Sequence, residues 1–120
     1  MNVRGIDANY YTVRDADALT TFYSAFLGKP VMHMPGRFAE WNFADGTAFG
    51  LYGTESDAPA GKSGSVMFAV DDVGKAIGEC KALGVKFHGN GDITDTPGCQ
   101  MAFAEDPEGN QFIFHARKAG

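Results

Sequence analysis

One short turn-and-strand text occurs twice in this chain of 120 residues. Near the C-terminus, Asp106-Pro107-Glu108-Gly109-Asn110 runs straight into Gln111-Phe112-Ile113-Phe114-His115. An earlier, degraded copy reads Asp45-Gly46-Thr47-Ala48-Phe49-Gly50-Leu51-Tyr52. Pro107 presets φ at the second turn position, and Gly109 tolerates the positive φ that closes the turn. Gly46 and Gly109 stand 63 positions apart, and at that offset Phe49 falls on Phe112 and Leu51 on Phe114. The chain is one small unit written twice, and that constrains its architecture more than any single motif.

The regions before these turns repeat as well. Tyr11-Thr12-Val13-Arg14-Asp15 leads into an apolar-periodic run, Ala16–Leu27, that stops at Gly28. Phe68-Ala69-Val70-Asp71-Asp72 leads into Val73–Leu83, which stops at Gly84. Each reads as a strand, an acidic N-cap, a helix and a Leu-Gly stop. A carboxylate accepts hydrogen bonds from the free N–H groups of a first helical turn and suits its positive dipole end. Asp15 or Asp17 caps the first helix and Asp72 the second. Gly28 and Gly84 suit the left-handed position after a helix. Leu19, Phe22, Tyr23 and Phe26 form one apolar stripe; Val73, Ala76, Ile77, Cys80 and Leu83 form another. Both stripes read as core.

Three strand-like pieces follow each helix: Pro30–Met34, Phe38–Ala44 and Thr47–Tyr52, then Val85–His88, Gln100–Glu105 and Asn110–His115. Thr54–Ser63 reads as a linker. The expected organisation is α+β: two β-α-β-β-β modules, residues 1–53 and 64–120, within one domain, each with a single helix on its sheet. Hydrophobic residues make up 44% of the chain, enough for a real core without staples. A net charge of −5 with no basic run argues against a nucleic-acid or anionic-membrane partner. No apolar run approaches the ~20 residues of a membrane span, and residues 1–5 lack the apolar core of a secretory signal. Cys80 and Cys99 follow no metal or redox spacing, which fits reduced thiols in the cytoplasm.

The duplicated unit resembles the vicinal oxygen chelate superfamily, which includes glyoxalase I, extradiol dioxygenases, fosfomycin-resistance enzymes and bleomycin-resistance proteins. The resemblance is carried by Val13-x-Asp15, Phe22-Tyr23, Leu27-Gly28, Ala69-Val70-Asp71-Asp72 and Asp106-Pro107-Glu108-Gly109-Asn110, and runs from about Gly5 to Arg117. It implies a cupped mixed sheet with a helix on the outer face of each module. In metal-dependent members the cup holds a divalent ion through a His in each module's first strand and a Glu in its last. The corresponding positions here hold Ala8, Gly50, Ser65 and Ile113. None supplies the imidazole nitrogen or carboxylate oxygen such an ion needs. The resemblance therefore implies the fold and, through these positions, a member without the usual metal chemistry or any cofactor.

Strand alternation predicts that Tyr10, Thr12, Ala48, Tyr52, Met67, Gln111 and His115 share the cupped face with those four positions. Tyr11, Val13, Val66, Phe68, Val70, Phe49, Leu51, Phe112 and Phe114 then pack under the helices. The expected function is metal-independent binding of a small aromatic or amphipathic molecule in the cup between modules. Tyr10, Trp41, Tyr52, Met67, Gln111 and His115 are the expected ligand contacts, with Trp41 a candidate clamp for a flat ring. No catalytic residue is assigned; His115 is the weak candidate for proton transfer. The alternative is a lyase, isomerase or dioxygenase relative that uses His115 or relocated metal ligands, for instance His33, Glu40 and His115. His88 reads as part of an exposed turn and Cys99 as an exposed thiol. The resemblance also implies a homodimer.

Overall fold

The computed structural model describes residues 1–2, 6–54 and 65–118. The chain divides into two compact units, Met1–Ser63 and Gly64–Gly120. Of the expected linker, all but Thr54 lies outside the described residues.

The first unit comprises β1 (Ala8–Val13), α1 (Ala16–Leu27), β2 (Met32–Met34), β3 (Phe38–Asn42) and β4 (Ala48–Gly53). Its sheet has the order β1-β4-β3-β2, with β1 parallel to β4 and the other pairs antiparallel. The second unit comprises β5 (Ser65–Ala69), α2 (Val73–Ala82), β6 (Lys86–Phe87), β7 (Thr94–Asp95), β8 (Cys99–Glu105) and β9 (Gln111–Arg117). Its sheet runs β5-β9-β8-β6, with β5 parallel to β9 and β7 also paired to β8. Among the described residues the architecture is the α+β arrangement expected: two α-helices and two mixed sheets with nine strands.

Local chemistry sets the boundaries. Asp15 caps α1, accepting from the Ala18 N–H at 3.0 Å, and Asp72 caps α2, accepting from the Lys75 N–H at 3.0 Å. Asp17 is not the cap; it accepts from the Gly36 N–H at 2.7 Å instead. The duplicated turn has the same backbone in both units. Phe43 N–H donates to the Thr47 carbonyl and Gly46 N–H to the Phe43 carbonyl; Asp106 and Asn110, Gly109 and Asp106 repeat those two bonds. Gly46 (φ 87°) and Gly109 (φ 84°) take the positive φ that this closure requires.

Several strands are shorter than the sequence suggests. The piece expected to begin at Pro30 starts at Met32, because proline has no N–H to give a ladder. The piece expected to reach Ala44 ends at Asn42, where Phe43 opens the turn. The Val85–His88 piece shrinks to Lys86–Phe87, since His88 begins a 3₁₀ turn, His88–Gly91. The two-residue β7 was not expected; no periodicity marks so short a strand. Leu83, assigned to the α2 stripe, is exposed beyond the helix end.

Between each helix and its sheet lies a core. Leu19 and Tyr23 of α1 are buried with Tyr11, Val13, Ala39, Trp41, Phe49 and Leu51 of the sheet. Val73, Ile77 and Cys80 of α2 are buried with Phe68, Ala102, Ala104, Phe112 and Phe114. Each large side chain so buried contributes about 1.5–3 kcal/mol. Burial also pushes the Cys80 thiol up to about 11, aided by the charge of Glu79, so it stays protonated and unreactive.

The open sheet faces as a candidate binding site

One face of each sheet is taken by its helix, which leaves the other face open. In the first unit the strand register lays the open-face side chains in three rows. One is Ala8–Ala48–Asn42, the next Tyr10–Gly50–Glu40–Met32, the last Thr12–Tyr52–Phe38–Met34. In the second unit the matching rows are Ser65–Gln111–Glu105–Lys86, then Met67–Ile113–Phe103, then Ala69–His115–Met101–Thr94. All four positions where the resemblance places metal ligands therefore lie on open faces. So do Tyr10, Tyr52, Met67, Gln111 and His115 of the expected ligand contacts.

The middle row of the first unit is a built structure. The Tyr10 hydroxyl donates to Glu40 Oε1 at 2.5 Å, reaching across β4 from β1 to β3. It passes over Gly50. A Cβ built on Gly50 would stand 2.4 Å from Tyr10 Cζ, 2.6 Å from Cε2 and 2.7 Å from Cε1. Cζ nearest and the two Cε atoms almost equidistant mean that the Cβ would strike the ring's face. The ring thus lies flat on the Gly50 backbone, and only glycine leaves room for it. Burial, together with the hydrogen bond to Glu40 and that carboxylate's charge, pushes the Tyr10 phenol up to about 12. The proton therefore stays on Tyr10.

The second unit is different. Its middle row, Met67–Ile113–Phe103, is wholly apolar, with Ile113 buried. Polar groups collect one row away. Gln111 Nε2 donates to Ser65 Oγ at 3.1 Å. Lys86 Nζ lies 3.1 Å and His88 Nε2 3.5 Å from the Glu105 carboxylate, and they hold its carboxyl below the usual carboxylate range. His115 sits half-buried between Ala69 and Met101, so neither neighbour in its row can relay a proton.

Three expectations change here. Trp41 does not face the open side: it is paired with Phe49 on the helix side and is 2% exposed. Its indole N–H donates to the Gly28 carbonyl at 2.7 Å, and its ring packs on Tyr23 and Phe49. Trp41 is a core residue because the alternation that points Glu40 outward points Trp41 inward. The trio His33, Glu40 and His115 also fails. His33 pairs with Ala39 on the face opposite Glu40 and lies 3.9 Å from Asp17 of α1. Cys99 is half-buried, its Sγ 3.3 Å from Thr96 Oγ1, rather than fully exposed.

A divalent ion does not fit the positions the resemblance provides. Ala8 and Ile113 have no donor atom, Ser65 offers a hydroxyl that already accepts from Gln111, and the place over Gly50 is covered by a ring. Among the described residues no three His, Cys, Asp or Glu side chains converge as a metal site. No described helix is long and apolar enough to cross a membrane.

Comparison with solved structures places the fold. TnmS3, an antibiotic binding protein from Streptomyces sp. CB03234, superposes with a TM-score of 0.80 at 20% identity, over 98% of this chain and 99% of that one. A lactoylglutathione lyase from Agrobacterium tumefaciens gives 0.76 at 20% identity, over 97% and 96%. Protein ATC0852 from Agrobacterium tumefaciens gives 0.77 at 25% identity, over 98% and 100%. A binding protein and a lyase are matched almost equally, so the likeness speaks to fold and not to activity. No curated protein matches the sequence. With its paired mixed sheets, its repeated turn and a family profile that matches residues 5–114, the chain belongs to the Glyoxalase/Bleomycin resistance protein/Dioxygenase superfamily.

Proposed function

We propose that this protein binds a small aromatic or amphipathic molecule on its open sheet faces without a metal ion. The observation that carries the reading is the Tyr10 ring lying flat over Gly50, where a metal-binding side chain would have to begin. The open faces of the two units each offer what binding such molecules needs: exposed aromatic or thioether surface with a few fixed polar groups. Tyr10, Tyr52, Met32, Met34 and Met67 are each between 42% and 52% exposed. Methionine adapts to irregular apolar shapes, and tyrosine rings present flat surface at low entropic cost. An antibiotic binding protein among the similar structures supports the same reading. The lyase alternative needs an ion or a proton relay, and the residues named for either are not suitably placed.

Elemental analysis and ligand titration together test it. Protein purified without chelator is expected to carry no stoichiometric Zn, Fe, Mn or Ni. Chelator-treated protein is expected to show unchanged thermal shifts with flat aromatic compounds, since a ligand that binds the folded state raises apparent stability by mass action. A stoichiometric ion whose removal abolishes those shifts overturns the proposal. The homodimer implied by the family belongs to the same reading and is checked by light scattering of the full chain.

A further inference from the structure

We propose that the row Tyr10–Gly50–Glu40 is a cation-recognising subsite, so that the ligand is a flat aromatic molecule bearing a protonated amine. The inference rests on the binding function proposed above and specifies its ligand class. Three observations carry it.

The first is charge. Among the paired strand residues of the first unit's open face, Glu40 is the one charged side chain. The Glu40 carboxylate is half-buried, with the Tyr10 hydroxyl as its donor, in rows whose other side chains carry no charge. An ionised carboxylate has about four acceptor sites, and the Tyr10 hydroxyl takes one. The remainder suit an ammonium group, whose bond to a carboxylate is about twice as strong as a neutral hydrogen bond.

The second is the platform. With one ring face on the Gly50 backbone, Tyr10 turns its other face away from the sheet, and the residue is 42% exposed. That outer face accepts either an offset-stacked ring or a cation within about 6 Å of its centroid. The Glu40 bond fixes the ring, so little side-chain entropy remains to be lost on binding.

The third is register. Tyr10, Gly50 and Glu40 are direct cross-strand partners, so the platform and the carboxylate sit side by side on rigid strands. A ring stacked on Tyr10 places a substituent amine beside Glu40. Met32, next in the row and 49% exposed, borders the far side with adaptable apolar surface.

The test uses three probes of similar shape at neutral pH: 9-(aminomethyl)acridine, a cation through its ammonium group; acridine, neutral; and acridine-9-carboxylate, an anion. Fluorescence titration of the full chain is expected to rank them cation, neutral, anion, with the cation at least about tenfold tighter than the neutral probe, as one charge-assisted bond supplies. Glu40→Gln, whose amide oxygen can still accept from the Tyr10 hydroxyl, is expected to bring the cation and acridine to the same affinity. Added salt is expected to weaken the cation and not acridine in the wild-type protein, a readout independent of how the variant folds. Tyr10→Phe, which keeps the ring, is expected to retain the cation preference. A ranking indifferent to Glu40→Gln and to salt overturns the subsite while leaving small-molecule binding intact. Failure of all three probes to bind overturns both readings.

Discussion

The two units share a backbone and part company in the row across the middle of the open face. In one the row is Tyr10–Gly50–Glu40–Met32; in the other it is Met67–Ile113–Phe103. The second unit adds β7, but across the three strands of this row the register and order agree, so the difference there comes from side chains. The same offset of 63 positions that pairs Gly50 with Ile113 pairs Glu40 with Phe103 and Trp41 with Ala104. The first unit carries its bulk on the helix side, where Trp41, Tyr23 and Phe49 fill the core, and keeps a glycine floor on the open side. The second has the small Ala104 on the helix side and the larger Ile113 and Phe103 outside. One repeated scaffold thus holds a middle row with a tyrosine and a carboxylate in one unit and a wholly apolar middle row in the other. A duplicated fold can divide recognition in this way because the open face carries no helix and its residues are little constrained by core packing.

The shared turn teaches the same lesson. In the second unit the Asp106 carboxylate, buried, accepts from the N–H groups of Glu108 and Asn110 at 2.9 Å each and from Asn110 Nδ2 at 2.8 Å. In the first, Phe43 stands at the equivalent place, and Asp45 does the work from outside by accepting from Thr47 N–H at 3.0 Å and Thr47 Oγ1 at 2.6 Å. Those bonds hold the Asp45 carboxyl below the usual range.

Each contrast can be broken by a substitution. The largest effect is expected at Trp41, whose exchange for alanine, the residue the second unit carries there, should cost about 3–5 kcal/mol in urea unfolding. Unchanged ligand affinity in the folded fraction is the companion expectation, since the ring never reaches the open face. Next comes the turn. Asp106→Ala leaves three donors without their acceptor at a buried site and should cost about 3 kcal/mol. Asp45→Ala should lower the unfolding midpoint far less, because water replaces an exposed carboxylate; equal losses would mean that the two turns are held alike.

The glycine floor gives a smaller effect. Gly50→Ala drives a methyl into the Tyr10 ring and should cost about 1–2 kcal/mol. In a Tyr10→Ala background the same change should cost nothing, so a double-mutant cycle reads the contact directly. The smallest effect is a pH dependence. An unfolded tyrosine ionises near 10 and Tyr10 near 12, so both states hold the proton below pH 10 and stability there is intact. As pH rises from 10 towards 12 the unfolded state loses its proton first, and stability falls. Tyr10→Phe should flatten that decline relative to wild type and remove one high tyrosinate transition from the absorbance titration.

Much of the fold was legible in the sequence because its determinants are local. Caps at Asp15 and Asp72, the glycines of the two turns and the period-two alternation of β1, β4, β5 and β9 act within a few residues and say which side chains share a face. Alternation even placed Trp41 and Glu40 on opposite faces. It did not say which face the helix would cover, and that decided the role of Trp41. Strand ends at Met32 and Asn42, and the short β7, depend on which partner supplies the next hydrogen bond, a long-range matter. The absence of metal ligands at Ala8, Gly50, Ser65 and Ile113 was fixed by the sequence alone, since no packing gives a donor to a side chain that lacks one. That Tyr10 lies across Gly50 to reach Glu40 was decided only by the tertiary structure. Those residues are 10 and 40 positions away from Gly50, and they meet because β1 and β3 flank β4 in one register.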